Sequence, residues 1–327
     1  MEHFKLMKHD LLIIPFREEF LGEAAGLFIT NYKKLRQVVP ILPDDMENTQ
    51  QVIDLMSGIF QERPGIAAVK NGRLTGYMGW LLIDGFRNTG QRGAYCPEWA
   101  HAVAEGSENS IYAVLYREAA TRWHAAGCQV HALTLLAHAK AAERFWFWNG
   151  FGMIVIDAIR AIQPLRIEPP KRLTIRRAEI ADADTIAVLE VEHYQHYSKP
   201  PTLMAAQQAG DAQAYRKFLI QPLKSVWLAL DGKEPAGYLR FEEKSFGAAN
   251  IVESDATIAI DAAYTRPQYR GQGAMPALLD AGLRYYGELG FKRCSVDFES
   301  INPEASHFWM KYFTPVCISV NRHPEIA

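Results

Sequence analysis

Gln268-Tyr269-Arg270-Gly271-Gln272-Gly273-Ala274 lies between an apolar strand-like run, Thr257-Ile258-Ala259-Ile260, and Met275-Pro276-Ala277-Leu278-Leu279, which reads as the first turns of a helix. Two glycines two positions apart let successive backbone N–H groups curl toward one point and form an anion-binding concavity. A helix N-terminus directly behind adds its own unpaired N–H groups and the positive end of its dipole. Such an arrangement cradles a pyrophosphate. Pro276 suits a position near the helix start, where no intrahelical N–H is missed. A glycine pair alone marks no more than a strand-to-helix turn, so its surroundings decide the reading.

The spacing Gln-x-x-Gly-x-Gly, with Arg270 before the first glycine, resembles the acyl-coenzyme A signature of the GCN5-related N-acetyltransferase (GNAT) superfamily. Further on, Asn302-Pro303-Glu304-Ala305-Ser306-His307-Phe308-Trp309 resembles that family's second signature: an Asn, an Ala three on, and an aromatic pair three beyond. The two stand in the family's order, about a helix and a strand apart. The resemblance implies an α/β (α+β) fold, a mixed and mostly antiparallel twisted sheet with a splayed central strand pair flanked by helices. It also implies acetyl-CoA as cosubstrate, no metal, and transfer of the acetyl group to a primary amine of a small molecule or peptide. A homodimer is a common state among such proteins.

Bulk properties agree with a soluble enzyme of ordinary composition. The 327 residues leave room for two domains of about 150 residues each. Hydrophobic residues make up 49% and charged residues 22%, as in typical globular proteins. The net charge of −2 gives no electrostatic reason for a nucleic-acid or anionic-membrane partner. The apolar run from Leu11 to Phe16 is far shorter than the ~20 residues that span a bilayer, and it lacks a cleavage-site pattern. A cytoplasmic location is therefore expected. Cys96, Cys128, Cys294 and Cys317 have no CxxC spacing, which favours buried reduced thiols over zinc or disulfides.

The stretch from Gln163 to Arg172 holds three prolines in seven residues and disfavours both helix and central strand. It divides the chain into halves, 1–165 and 172–327, and these match each other. A slide of 163 puts Gly127 on Gly290, Ala142 on Ala305, Phe145 on Phe308 and Trp146 on Trp309. Upstream, the turn Asn71-Gly72 matches Asp231-Gly232, both strong hairpin signals. The same slide sets Glu105, Ser107, Glu108 and Ser110 opposite Gln268, Arg270, Gly271 and Gly273, and Ala139 opposite Asn302. Carboxylates there oppose a diphosphate. The first half is expected to be a degenerate GNAT-like domain without cofactor, and the second the acyl-CoA-binding catalytic domain.

For the second half the resemblance implies a specific set of contacts. Gln268, Tyr269, Arg270, Gly271, Gln272, Gly273 and Ala274 would hold the pyrophosphate through main-chain amides. The strand end at Ala263, Tyr264 and Thr265 would pair with the pantetheine arm as an added strand does, and Asn302 would bond its amides. Arg266 is a further phosphate candidate. The aromatic run from His193 to Tyr197 reads either as part of a loop over the acceptor or as core packing. One departure stands out. The family often has Tyr, a proton donor to the thiolate, where this chain has Trp309, and an indole N–H is not a usable acid. Tyr312, His307 and water are the candidate donors. The general base is equally open. Family-offset positions carry Thr257 and Ala259, so same-parity Asp255 is the first choice, with Glu253 and Asp261 beside it. The alternative function is a non-catalytic acyl-CoA-binding sensor or pseudoenzyme. A transferase using charged tRNA would call for a basic face and a long helical arm, and neither is visible.

Overall fold

The chain runs through one order of elements twice. In the computed structural model, which describes residues 11–60 and 65–325, the first pass comprises β1 (Leu11–Pro15), α1 (Leu21–Val38), α2 (Thr49–Phe60), the hairpin β2 (Gly65–Lys70) and β3 (Arg73–Gly79), and β4 (Leu81–Ile83). It continues with β5 (Gly93–Cys96), β6 (His101–Val103), α3 (Glu108–Ala125), β7 (Val130–Leu136), α4 (Lys140–Trp148) and β8 (Gly152–Ala161). The second pass comprises β9 (Thr174–Arg177), α5 (Ala183–Tyr197), α6 (Ala212–Leu219), the hairpin β10 (Ser225–Asp231) and β11 (Glu234–Glu242), and β12 (Thr257–Thr265). α7 (Ala274–Glu288), β13 (Arg293–Glu299), α8 (Pro303–Tyr312) and β14 (Thr314–Arg322) complete it.

The compact units differ from the expected halves. One comprises residues up to Val155 together with those from Val316 onward; the other runs from Ile156 to Pro315. The proline-rich segment has no regular structure, as expected, yet it belongs to the second unit rather than standing free. The N–H groups of Leu165 and Arg166 donate to Asp280 Oδ1 on α7, and Leu165 packs on the core of that unit. Prolines report missing ladder bonds, not missing contacts.

In the second unit the strands lie in the order β8-β13-β12-β11-β10-β9. β9 with β10, β10 with β11 and β11 with β12 pair antiparallel, whereas β12 and β13 run parallel from Thr257↔Arg293 to Ile260↔Val296 and then part. At that point β12 also carries a bulge: Phe241 faces Ile260 and Arg240 faces Ala262, so Asp261 has no partner across the ladder. The extra residue reverses the faces of the strand. Ile258 and Ile260 join the core under α7 and α8, whereas Ala262 and Tyr264 join the core under α5 and α6.

α7 presents Leu278, Leu279, Leu283 and Tyr286 as one fully buried stripe. The approach to β11 is close because residue 282 is glycine: a Cβ there would lie 2.3 Å from Cζ of Phe241, itself fully buried. Gly282→Val is therefore expected to lower the unfolding free energy by about 1–3 kcal/mol through overpacking, read as a shifted denaturant midpoint.

The first unit repeats the plan with two interruptions. Its strands form β1-β2-β3-β6 and β4-β5-β7-β14. Where the second unit has the single strand β12, the first has β5, parallel to β7, and β6, antiparallel to β3, separated by Pro97-Glu98-Trp99-Ala100. The connection from β6 to α3 has four residues, 104–107, against eight, 266–273, between β12 and α7. The ungapped slide therefore fails across this loop. The first unit lacks the loop's length and has one glycine there, Gly106, in place of two. Trp80, Trp123 and Trp146 fill the core instead.

Candidate active site

Gly271 (φ 70°) and Gly273 (φ 82°) turn the backbone through the left-handed region just before α7, a conformation that glycine adopts without Cβ strain. Among the described residues no backbone carbonyl accepts from the N–H groups of Gly271, Gln272 or Gly273. Together with the first amides of α7 they make an anion site with the dipole behind it. Nothing lies within 4 Å of where a Gly271 Cβ would be, so the loop is open at that point.

This loop forms one end of a cavity of about 500 Å³, a volume typical of small-ligand sites. The parted ends of β12 and β13 form its floor, with α5 and α8 contributing walls. Ala263, Tyr264, Thr265, Tyr269, Arg270, Gly271, Gly273, Ala274, Asn302 and Tyr312 all line it. Gln268 and Gln272 do not; both are exposed, and the Gln272 amide donates to the Gln268 carbonyl. Asn302 is buried and caps α8, its Oδ1 accepting from Ala305 N at 3.3 Å. Arg270 lies between Thr265 O (3.1 Å) and Glu304 (2.6 Å). Arg266 forms a two-point ion pair with Glu192 (2.9 and 2.7 Å), which accounts for its charge structurally.

Where the strands part, the two residues next in register are both aspartates. Asp261 and Asp297 line the cavity, and Ser245 Oγ lies 2.6 Å from Asp297 Oδ1 and 3.3 Å from Asp261 Oδ1. Their charges are set differently. Burial works against ionisation of Asp261, but the Arg240 guanidinium, which donates to it, holds its carboxyl below the usual range. Arg240 also bonds Glu190 at 2.9 Å, and Tyr215 donates to the same carboxylate at 2.7 Å. Asp297 has no cation of its own among these contacts. Enclosure by protein pushes it up to about 6; the Ser245 hydrogen bond works downward and the charge of Asp261 upward. Paired carboxylates driven apart in this way divide into a fixed anion and a group that exchanges protons near neutrality.

The α5 wall supplies His193, His196 and Tyr197. Burial lowers His193 to about 3, so it is a neutral imidazole, with Nδ1 3.1 Å from the Tyr238 hydroxyl. Burial, then the nearby Arg270, also lowers His196. Burial raises Tyr197, as do the carboxylates of Glu299 and Asp297.

Residues 191–313 match the model of the acetyltransferase (GNAT) family. Over those residues the chain is similar to the GNAT family. A GCN5-related N-acetyltransferase from Sphaerobacter thermophilus is similar over 98% of both chains, with a TM-score of 0.61 and 13% identity. A tandem GNAT protein from the clavulanic acid biosynthesis pathway is similar over 97% of this chain and 100% of its own, with a TM-score of 0.53 and 13% identity. No curated protein matches in sequence. Likeness over nearly the whole chain fits two GNAT-like domains, as the repeated element order does.

Asp255 does not reach the site: the ladder begins at Thr257, and Asp255 is an exposed turn residue outside the cavity lining. The carboxylate that sequence reasoning missed is Asp297, whose one visible signal was an acid inside the otherwise apolar run Val296-Asp297-Phe298. Trp309 is buried in the core under α8, as Trp146 is in the first unit, so both serve packing. Tyr312, at the end of α8, does face the cavity, and its ring lies 5.0 Å from that of Phe308. Among the described residues no group of His, Cys, Asp and Glu could hold a metal, and no helix is long and apolar enough to cross a membrane.

Proposed function

We propose that the second unit moves an acetyl group from acetyl-CoA to a primary amine by direct attack in a ternary complex. The observation that carries this is a single cavity joining the open glycine-loop amides to a carboxylate that exchanges protons near neutrality. The residues present suit a nucleotide thioester. The amides of Gly271 to Ala274 would take its diphosphate, the free edge of Ala263 to Thr265 its pantetheine amides, and the bound thioester would supply the activated acyl carbonyl.

Asp297, ionised above pH 6, removes a proton from the incoming ammonium and leaves a neutral nucleophile. Asp261 stays anionic through Arg240 and keeps the floor attractive to a cation. A backbone N–H of β12 beyond the splay polarises the acyl carbonyl. Tyr312 would protonate the departing sulfur as the tetrahedral intermediate collapses, and the nitrogen, cationic after attack, would give up the proton that restores the phenol.

The first unit, on this reading, keeps the fold without the cofactor site. Its β6–α3 connection is too short to form the loop, Glu105 lies within it and Glu108 directly after it, and Ala139 stands where Asn302 would be.

Acetyl-CoA consumption against a panel of amino acids, polyamines, aminoglycosides, peptide N-termini and lysine side chains tests the proposal. Turnover with any member supports it. Calorimetric binding of coenzyme A without consumption of acetyl-CoA by any amine would favour the non-catalytic binder instead.

A further inference from the structure

The segment between β11 and β12 contains one residue turned the wrong way for a surface loop. Glu243, Lys244, Phe246 and Gly247 are exposed, Phe246 completely, while Ser245 between them is 7% exposed. The turn is built for this. Ala248 N donates to Ser245 O at 3.3 Å, and Gly247 supplies φ 86° at the third position, where a type II turn needs glycine. Both flanks are tied down: Lys244 pairs with Glu253, and Ala249 N donates to buried Asp157 Oδ1 at 2.9 Å. A small side chain is thereby held rigidly over the point where β12 and β13 part.

We propose that Ser245 is a positioning residue for the transfer reaction, its hydroxyl bridging Asp297 and Asp261 so that Asp297 is aimed at the amine while Asp261 stays with Arg240. The inference rests on the assignment of Asp297 as proton acceptor, and it names a residue outside the cavity lining that acts through that carboxylate. A hydroxyl has one proton to donate. At 2.6 Å from Asp297 and 3.3 Å from Asp261 the proton goes mainly to Asp297, leaving Asp261 to the guanidinium. Without that donor the carboxyl of Asp297 would be free to rotate about its side chain, and its ionised form would lose a charge-assisted bond.

Other charged groups around Asp297 set the background against which Ser245 acts. On β13 there is Glu299, on β12 Asp261, and on β11 Arg240 with Glu242, the latter paired with Lys224 of β10 at 3.0 Å. From α5 come Tyr197, His193 and Glu190, and from α8 Lys311, His307 and Tyr312 face the same cavity. Of these, Asp261 also accepts from the Ser245 hydroxyl, at 3.3 Å, and keeps its Arg240 partner when that hydroxyl is removed.

The test follows the carboxyl directly, so it does not depend on knowing the acceptor. In full-length protein labelled with 13Cγ-aspartate, the resonance that disappears in Asp297→Asn is titrated by NMR. The expected midpoint is about 6 in the native chain. In Ser245→Ala it should move upward by about one pH unit, the size expected for loss of one hydrogen bond to an ionised group. With whichever amine turns over, the acidic limb of kcat/KM should move by the same amount and kcat should fall about tenfold, while KM for acetyl-CoA stays unchanged. An Asp297 midpoint that Ser245→Ala leaves in place overturns the inference. A moved midpoint with an unmoved rate profile also overturns it, because the carboxyl would then be held by Ser245 without the reaction using it. Full activity in Asp297→Asn would instead reject the base assignment, a result separable from either.

Discussion

Asp297→Asn is expected to lower kcat by about 10²–10⁴-fold, the usual contribution of a positioned general base, with little change in coenzyme A affinity. The amide keeps the shape of the carboxyl and its contact with Ser245 but cannot accept the ammonium proton. In the native chain kcat/KM should rise with pH through a midpoint near 6, where Asp297 loses its proton, and in the variant this limb should vanish. The same substitution should stabilise the fold at alkaline pH. A carboxyl raised from its ordinary value to about 6 favours the folded state while protonated. Its stabilising contribution is complete below the unfolded value and is lost as pH rises through 6, so above that pH the native chain carries an enclosed anion. The difference corresponds to at most about 3 kcal/mol at about 1.4 kcal/mol per unit. Denaturant titrations of both proteins at pH 5 and pH 8 should show the variant gaining more at the higher pH. Equal stability at both, with undiminished turnover, would remove Asp297 from the mechanism.

Gly271→Glu should weaken coenzyme A binding at least a hundredfold and abolish turnover, with the fold intact. Three effects act together. A non-glycine residue at φ 70° costs about 1–2 kcal/mol, the side chain occupies the space the diphosphate needs, and its charge repels that anion. Nothing within 4 Å of the new Cβ forces a rearrangement. Gly106→Glu is the matched control. Gly106 also has positive φ (74°) and open surroundings, in the corresponding connection of the first unit. It should leave coenzyme A binding unchanged by isothermal titration. Loss of binding at Gly106 rather than Gly271 would place the cofactor in the wrong unit.

Most of the architecture was legible because it rests on local, repeated signals. Hairpin turns at Asn71-Gly72 and Asp231-Gly232, glycines closing α3 and α7, and the aromatic pairs Phe145-Trp146 and Phe308-Trp309 all fall where the structure puts turns, caps and core. The glycine loop was legible for a similar reason, since positive φ before a helix demands that residue type. The amine end of the cavity was not. Parity along β12 could suggest Asp255 only if the strand reached it, and where a ladder begins depends on its neighbours. The carboxylate pair is brought together by the register of β12 with β13, and Ser245 reaches it from 16 and 52 residues away in sequence. No local pattern encodes such a meeting. The prolines of the 163–172 segment describe its backbone and say nothing of Leu165 and Arg166 binding α7, so they do not locate the edge of a compact unit.

The assignment of residues 316–322 to the first unit, paired as β14 against β7, bears on how the protein is made. During translation the second unit is an uninterrupted segment, Ile156 to Pro315, and can close as soon as it leaves the ribosome. The first unit, although synthesised earlier, waits with one side of β7 unpaired until the last strand emerges. A released chain truncated after Pro315 should therefore have a later-made unit that resists protease while its earlier-made unit is still cut.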